Sequence, residues 1–149
     1  MLNVDDILKM WEKDSHIDPM MLTDATVQNA RQHAKYLELL TTSKLLLKRT
    51  EMSQKILLRD KWLYYTGVMS KEEMDERGWD YDPFKGARKP LKSDMGYFYE
   101  SDADLQKSEA KIQYIKTTIE TLESIMQAIT WRHQHIRNMI EFERMTNPT

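Results

Sequence analysis

The feature that most limits how this chain can fold is a seven-residue repeat in its last third. Leu105, Ile112, Ile119, Met126, His133 and Ile140 stand seven apart, and Ser108, Ile115, Leu122, Ile129 and Ile136 form a second track offset by three. Two tracks at this offset make a narrow apolar seam along an α-helix, and such a seam is buried only against another helix. No glycine or proline interrupts it before Pro148. A strict 3.5-residue repeat also calls for a left-handed supercoil.

The seam can be satisfied by a helix of the same chain or by the same helix of a second copy. Ile125, Trp131 and Met139 widen it, which favours more than two helices in contact and tips the reading toward self-association. Leu105, Ile112, Ile115, Ile119, Leu122, Met126, Ile129, His133, Ile136 and Ile140 are therefore the candidate oligomerisation residues. His133 is the polar member of its track, where a polar side chain commonly sets register.

Upstream, residues 3–14 predict a short amphipathic helix, with Ile7, Leu8 and Trp11 at helical spacing and Asn3 or Asp5 as its cap. His16-Ile17-Asp18-Pro19 breaks the pattern, and Pro19 suits the first turn of a following helix with Asp18 before it. From there to Tyr65 the chain has no glycine and no further proline. This predicts one long helix, or two with a weak joint at Thr41-Thr42-Ser43, with Ala30, Leu37, Leu40, Leu47 and Leu58 among its recurring apolar positions. Gly67 is a natural stop.

Residues 68–104 differ in character. They hold three of the four glycines and two of the four prolines, with Trp79, Tyr81, Phe84, Tyr97, Phe98 and Tyr99. Lys71 to Arg77 suits one or two helical turns, and Pro90 to Tyr99 suits a short strand or hairpin. The fold class expected is thus mainly α: long N-terminal helices, a small irregular or β insert, and a C-terminal heptad helix. The 149 residues fit a single domain in three parts, 1–67, 68–104 and 105–149.

The whole chain carries a net charge of −2, but the charge is blocked. Residues 1–24 sum to −4, 43–61 to +4, 71–82 to −4 and 83–92 to +4. Blocks of this kind mark faces with preferred partners, or self-complementary packing between subunits. There is no cysteine, so thiolate metal sites and disulfides are excluded and a reducing compartment is allowed. The acidic start MLNVDDILKMW does not read as a signal peptide, and no apolar run approaches the roughly 20 residues of a membrane span.

Lys44, Lys48, Lys55 and Arg59 fall at spacings of 4, 7 and 4, one broad stripe on a helix. Arg49 and Lys61 stand beside them, and Trp62, Tyr64 and Tyr65 offer flat rings. Cations that neutralise phosphates and rings that stack on bases are the two ingredients of sequence-indifferent single-strand binding. The alternative is a solvated basic face with the rings in the core. Lys85, Arg88, Lys89 and Lys92 form a second candidate cluster, in a loop free of acidic residues from 83 to 92.

No catalytic constellation accompanies these patches. Of His16, His33, His133 and His135, the last two are two apart and face different ways on a helix. The run Glu72-Glu73-Asp75-Glu76 lacks the separated carboxylates of a nuclease centre, and no phosphate-binding loop, nucleophile elbow or zinc motif is present. The expectation is a protein that is not an enzyme, with no cofactor, no metal and no catalytic residue.

The run Leu58-Arg59-Asp60-Lys61-Trp62-Leu63-Tyr64-Tyr65-Thr66-Gly67 resembles the signature of the UvsY recombination mediators of tailed bacteriophages. Trp131-Arg132-His133-Gln134-His135-Ile136-Arg137-Asn138-Met139-Ile140-Glu141-Phe142-Glu143 is similar to that family's closing helix, and His16-Ile17-Asp18 also matches. The resemblance covers nearly the whole chain. It implies a mediator that binds single-stranded DNA coated by single-strand DNA-binding protein and helps load a RecA-like recombinase, in the cytoplasm of the infected bacterial host. It implies a homo-oligomeric ring of about six or seven subunits, with Arg59 and Lys61 as the DNA-contacting basic pair and the C-terminal helix as the assembly element. Two positions depart from the family pattern: Asp60 stands where a small neutral residue is familiar, and Trp62 where an aliphatic one is. The rival reading is a coiled-coil structural or assembly adaptor without nucleic-acid binding.

Overall fold

The structure is a computed structural model and describes residues 3–147. Pro148, the expected end of the C-terminal helix, lies outside the described residues. In chain order the helices are α1 (Val4–Asp14), α2 (Leu22–Tyr65), α3 (Lys71–Arg77), a 3-10 turn at Lys92–Asp94, α4 (Met95–Ser101) and α5 (Ala103–Thr146). There is no β-strand among the described residues, so the irregular form of the expected insert is the one adopted. The chain divides into two compact units, Met1–Leu46 with Tyr114–Thr149, and Leu47–Gln113.

The first unit packs α1 with parts of α2 and α5. Asn3 caps α1 by accepting from the Asp6 N–H at 2.8 Å, satisfying one of the free amides of its first turn. Ile7 is buried, and Trp11 meets the edge of Tyr36 at 5.5 Å between ring centroids. The Tyr36 hydroxyl donates to Asp14 at 2.9 Å, and Lys35 pairs with the same carboxylate at 2.7 Å. Pro19 does not open α2 as expected. Asp18 instead turns the chain by accepting from the Met20 N–H at 2.9 Å, and the helix begins at Leu22.

The heptad seam is buried inside this one chain. In the first unit Ile115, Ile119, Leu122, Ile129 and Ile136 are all buried, so within a single chain these candidate oligomerisation residues take the same-chain alternative. Three of the seven residues on the partner face of α2 are polar, Asn29, Gln32 and Ser43, beside Leu22, Ala25, Tyr36 and Leu40. Among the expected recurring positions of α2 only Leu40 is buried, while Ala30, Leu37 and Leu58 are exposed and Leu47 is intermediate. Asn29 donates to the Ile129 carbonyl at 3.3 Å, so a polar side chain occupies a seam position without loss.

The register of α5 also departs from the strict repeat. From Ile112 onward the buried positions are Ile112, Ile115, Thr118, Ile119, Leu122, Ile125, Ile129, Arg132 and Ile136. The second track keeps its spacing of seven, while the first, after Thr118 and Ile119 are buried side by side, runs one residue nearer the N-terminus. Ile125 and Arg132 therefore take the places expected for Met126 and His133; Met126 is half-buried and His133 exposed. A third helix supplies the physical reason: α5 answers α1 and the turn after it as well as α2, with the Tyr114 hydroxyl accepting from the Val4 N–H at 2.9 Å. Ile140 is half-buried.

The second unit is organised by aromatic packing. Gly67, at φ 79°, takes the left-handed conformation that ends α2. Ser70 caps α3 through the Glu73 N–H at 3.2 Å, and Gly78 closes it. Tyr64, Tyr65, Met69, Met74 and Met95 form the core, with Leu63, Trp79, Phe84, Phe98 and Tyr99 against it. Met95 and Phe98 meet this cluster at a spacing of three, a helical rather than alternating pattern. That is why the segment expected as a strand or hairpin is the 3-10 turn and α4. Leu105 and Ile112, the first two seam positions, are buried in this unit.

Candidate nucleic-acid interface

In the second unit α2 alternates inside and outside at its carboxyl end, and this sorts the expected site residues. Lys48, Arg49, Lys55, Arg59 and Trp62 are exposed. Lys48, Lys55 and Arg59 follow one another at steps of 7 and 4 along one side, with Met52 and Ile56 exposed next to them. Lys48, Arg49 and Lys55 have no ion-pair partner among the described residues. Arg59 is 67% exposed and leans on Asp60 at 3.2 Å. Asp60 is also 3.6 Å from Arg77, so the unusual acid of the basic run is held by two guanidinium groups. Lys44 belongs to the first unit, where it pairs with Glu123 at 3.5 Å.

Lys61, Tyr64 and Tyr65 are not on that face, contrary to expectation. Lys61 is only 3% exposed. Its ammonium lies 3.0 Å from Asp102, 2.9 Å from Asp104 and 3.9 Å from the centre of the Trp79 ring. A charge this far from water needs opposite charge and hydrogen bonds around it, and both are supplied. Asp102 also accepts from the Tyr65 hydroxyl at 2.6 Å and caps α5 through the Leu105 N–H at 3.0 Å. Burial pushes the Asp102 carboxyl up, but the bonds from Tyr65, Leu105 and Lys61 outweigh it and hold the group below the usual carboxylate range. Burial, with the bond to Asp102, pushes the Tyr65 phenol up. The hydroxyl of Tyr64 is spent on the Asp80 carbonyl at 2.7 Å.

The second basic cluster is exposed throughout: Lys85, Arg88, Lys89 and Lys92. Lys89 donates to the Thr66 carbonyl at 3.2 Å, which ties this loop to the end of α2. Lys85 sits at φ 52° beside Gly86 at φ 82°, a turn gathered around the Asp82 carboxylate, which accepts from the Phe84 and Gly86 amides.

Two groups in the first unit were not anticipated from sequence. Arg132 is buried, with donor bonds to Gln32 at 2.6 Å, Asn29 at 3.2 Å and the His16 carbonyl at 2.8 Å. Burial lowers its pKa. On the outer side of the same helix, Trp131, His135, Asn138, Phe142 and Met145 are all exposed at steps of 4, 3, 4 and 3. Trp131 is 67% and Met145 81% exposed. This second track, three apolar residues with His135 and Asn138 between them, shares a groove of about 570 Å³ with Met20, Leu22 and Met139 and is left uncovered. Among the described residues no cluster of His, Cys, Asp or Glu is placed to hold a metal ion, and no helix is long and apolar enough to cross a membrane.

The family model described as "Recombination, repair and ssDNA binding protein UvsY" matches residues 10–149. The chain belongs to the UvsY family. Its fold is that of the crystal structures of the recombination mediator protein UvsY of bacteriophage T4. One superposes with a TM-score of 0.80 at 19% identity, covering 98% of this chain and 100% of the other. A second gives a TM-score of 0.80 at 22% identity, covering 95% and 99%. No curated protein sequence matches the chain.

Proposed function

We propose that this chain is a recombination mediator that binds single-stranded DNA through the outer face of α2, in the cytoplasm of an infected bacterial host. The observation that carries the reading is the row of exposed, unpaired cations Lys48, Arg49 and Lys55 leading to Arg59 and the exposed ring of Trp62. Cations in a row follow a phosphate backbone, and Trp62 stacks on an unpaired base. Lys61, Tyr64 and Tyr65 act from inside, fixing the helix end that presents Arg59 and Trp62. Lys85, Arg88, Lys89 and Lys92 extend the cationic surface past Thr66.

A single copy offers a weak patch. Copies assembled through the Trp131–Met145 track multiply it, because each bound subunit raises the effective concentration of the strand at the next. In this reading the assembled protein bends the strand, weakens its hold on single-strand DNA-binding protein and passes it to a RecA-like recombinase.

Binding of a labelled oligonucleotide across a salt series tests the reading. The wild-type chain binds, and affinity falls as salt rises. Replacing Lys48, Lys55 and Arg59 with alanine lowers the slope of log K against log salt by about 2, at roughly 0.7 for each phosphate no longer neutralised. Absence of binding at low salt would favour the assembly-adaptor reading instead.

A further inference from the structure

An open groove of about 510 Å³ in the second unit is lined by α2, α3 and α5, and of the basic run it contains Asp60 but none of the cations. Arg77 reaches it from the end of α3, and Lys107, Ser108 and Lys111 from α5. Lys107 and Lys111 are four apart, so they project from one side of the helix. Both are exposed, and neither has an ion-pair partner among the described residues. The carboxylates that line the groove are already engaged. Asp104 holds Lys61 at 2.9 Å, and Asp60 holds Arg59 at 3.2 Å and Arg77 at 3.6 Å. The lining therefore carries three cations, Arg77, Lys107 and Lys111, against two carboxylates, Asp104 and Asp60, with Asp60 where the groove's edge meets the α2 face.

We propose that this groove is a second strand-binding surface that takes the sugar-phosphate backbone of single-stranded DNA. Lys107 and Lys111 meet successive phosphates, the Ser108 hydroxyl donates to a phosphate oxygen, and Arg77 binds the phosphate that displaces Asp60. Asp60 links the two surfaces because it touches both Arg59, on the outer face of α2, and Arg77, in the groove. A strand passing Arg59 enters the groove without a gap in the cations. An extended anion with evenly spaced charges fits this row better than a single phosphate, which would use one end of it. The inference rests on the mediator reading and extends it to residues outside the family's basic run.

The test uses the full chain and a fluorescent oligo-dT strand across a salt series, with helicity checked by circular dichroism. Lys107→Ala with Lys111→Ala is expected to keep full helicity, weaken binding and lower the log K against log salt slope by about 1.4, at roughly 0.7 per phosphate. Asp60→Asn is expected to tighten binding. An unchanged slope in the lysine double variant, with a reduced slope for Lys48→Ala and Lys55→Ala, overturns the groove while leaving the mediator reading intact. Weaker binding by Asp60→Asn overturns the resident-anion role. Equal competition by polyglutamate shows a general anion surface and also overturns the proposal. No binding by the wild-type chain removes both readings together.

Discussion

Each unit of this molecule buries one cation, and the two solve the problem differently. In the second unit Lys61 is held by two carboxylates and the face of Trp79. In the first, Arg132 is held by the amide oxygens of Gln32 and Asn29 and a backbone carbonyl, with Nε unpartnered. A carboxylate cage neutralises its cation, so removing one member leaves a stranded charge. Neutral acceptors only orient theirs, so the guanidinium keeps its charge and loses solvation. The outsides differ in the opposite sense: the second unit exposes cations, and the first exposes an apolar track. Under the proposed function, attraction for an anionic strand and attraction for another copy belong to separate units.

The sharpest way to break this contrast is at Asp102, which serves Lys61, Tyr65 and the start of α5 at once. Asp102→Ala is expected to destabilise the second unit by about 3–5 kcal/mol, as for other buried pairs cut on one side. Hydrogen exchange should show the loss in residues 47–113 first. Arg132→Met removes a cation with no carboxylate to strand, and its expected cost is smaller, about 1–3 kcal/mol from the amide acceptors left unpaired. Equal costs in chemical denaturation would erase the distinction between the two cages.

The outer faces can be separated in the same way. Trp131→Ser with Phe142→Ser should reduce the molar mass measured in solution while leaving helicity unchanged. Loss of helix content instead would mean that the track belongs to the fold. The pH response discriminates further. Asp102 titrates below its unfolded value, so its contribution is present above about pH 4 and is lost as pH falls through the folded value. Tyr65 and Tyr36 titrate above theirs, so their contribution is intact below about pH 10 and is lost as pH rises. The second unit should therefore respond at both extremes, and Asp102→Asn should flatten its acid limb. The smallest effect expected is from Asn3→Ala, which removes the α1 cap at about 1 kcal/mol and should leave oligonucleotide binding unchanged.

Much of this was legible without coordinates. The heptad tracks and the glycine-free stretch up to Tyr65 gave the two long helices. Asn3 gave a cap, and Gly67 a stop. What failed to show was the identity of the partner. A seam reads the same whether it meets its own chain or another, and the partner face on α2 was disguised by Asn29, Gln32 and Ser43. Asp102, an acid three residues before the first apolar seam position, was a cap signal that went unused. The groove residues Lys107 and Lys111 carried only a four-residue spacing, which any solvated helix face can show.

Local periodicity and turn chemistry determined the helices, because both depend on neighbours along the chain. They also determined which stretches are cationic. Tertiary structure decided which side chains of those stretches meet water. Lys61 and Arg59 are two residues apart and carry the same charge, yet one faces a cage of carboxylates and the other faces solvent. Likewise α5 carries one track closed by its own chain and a second, with Trp131, Phe142 and Met145, left open. The basic pair and the seam were visible from the start. Only the packing around them separates the residues that hold the fold from those left facing solvent.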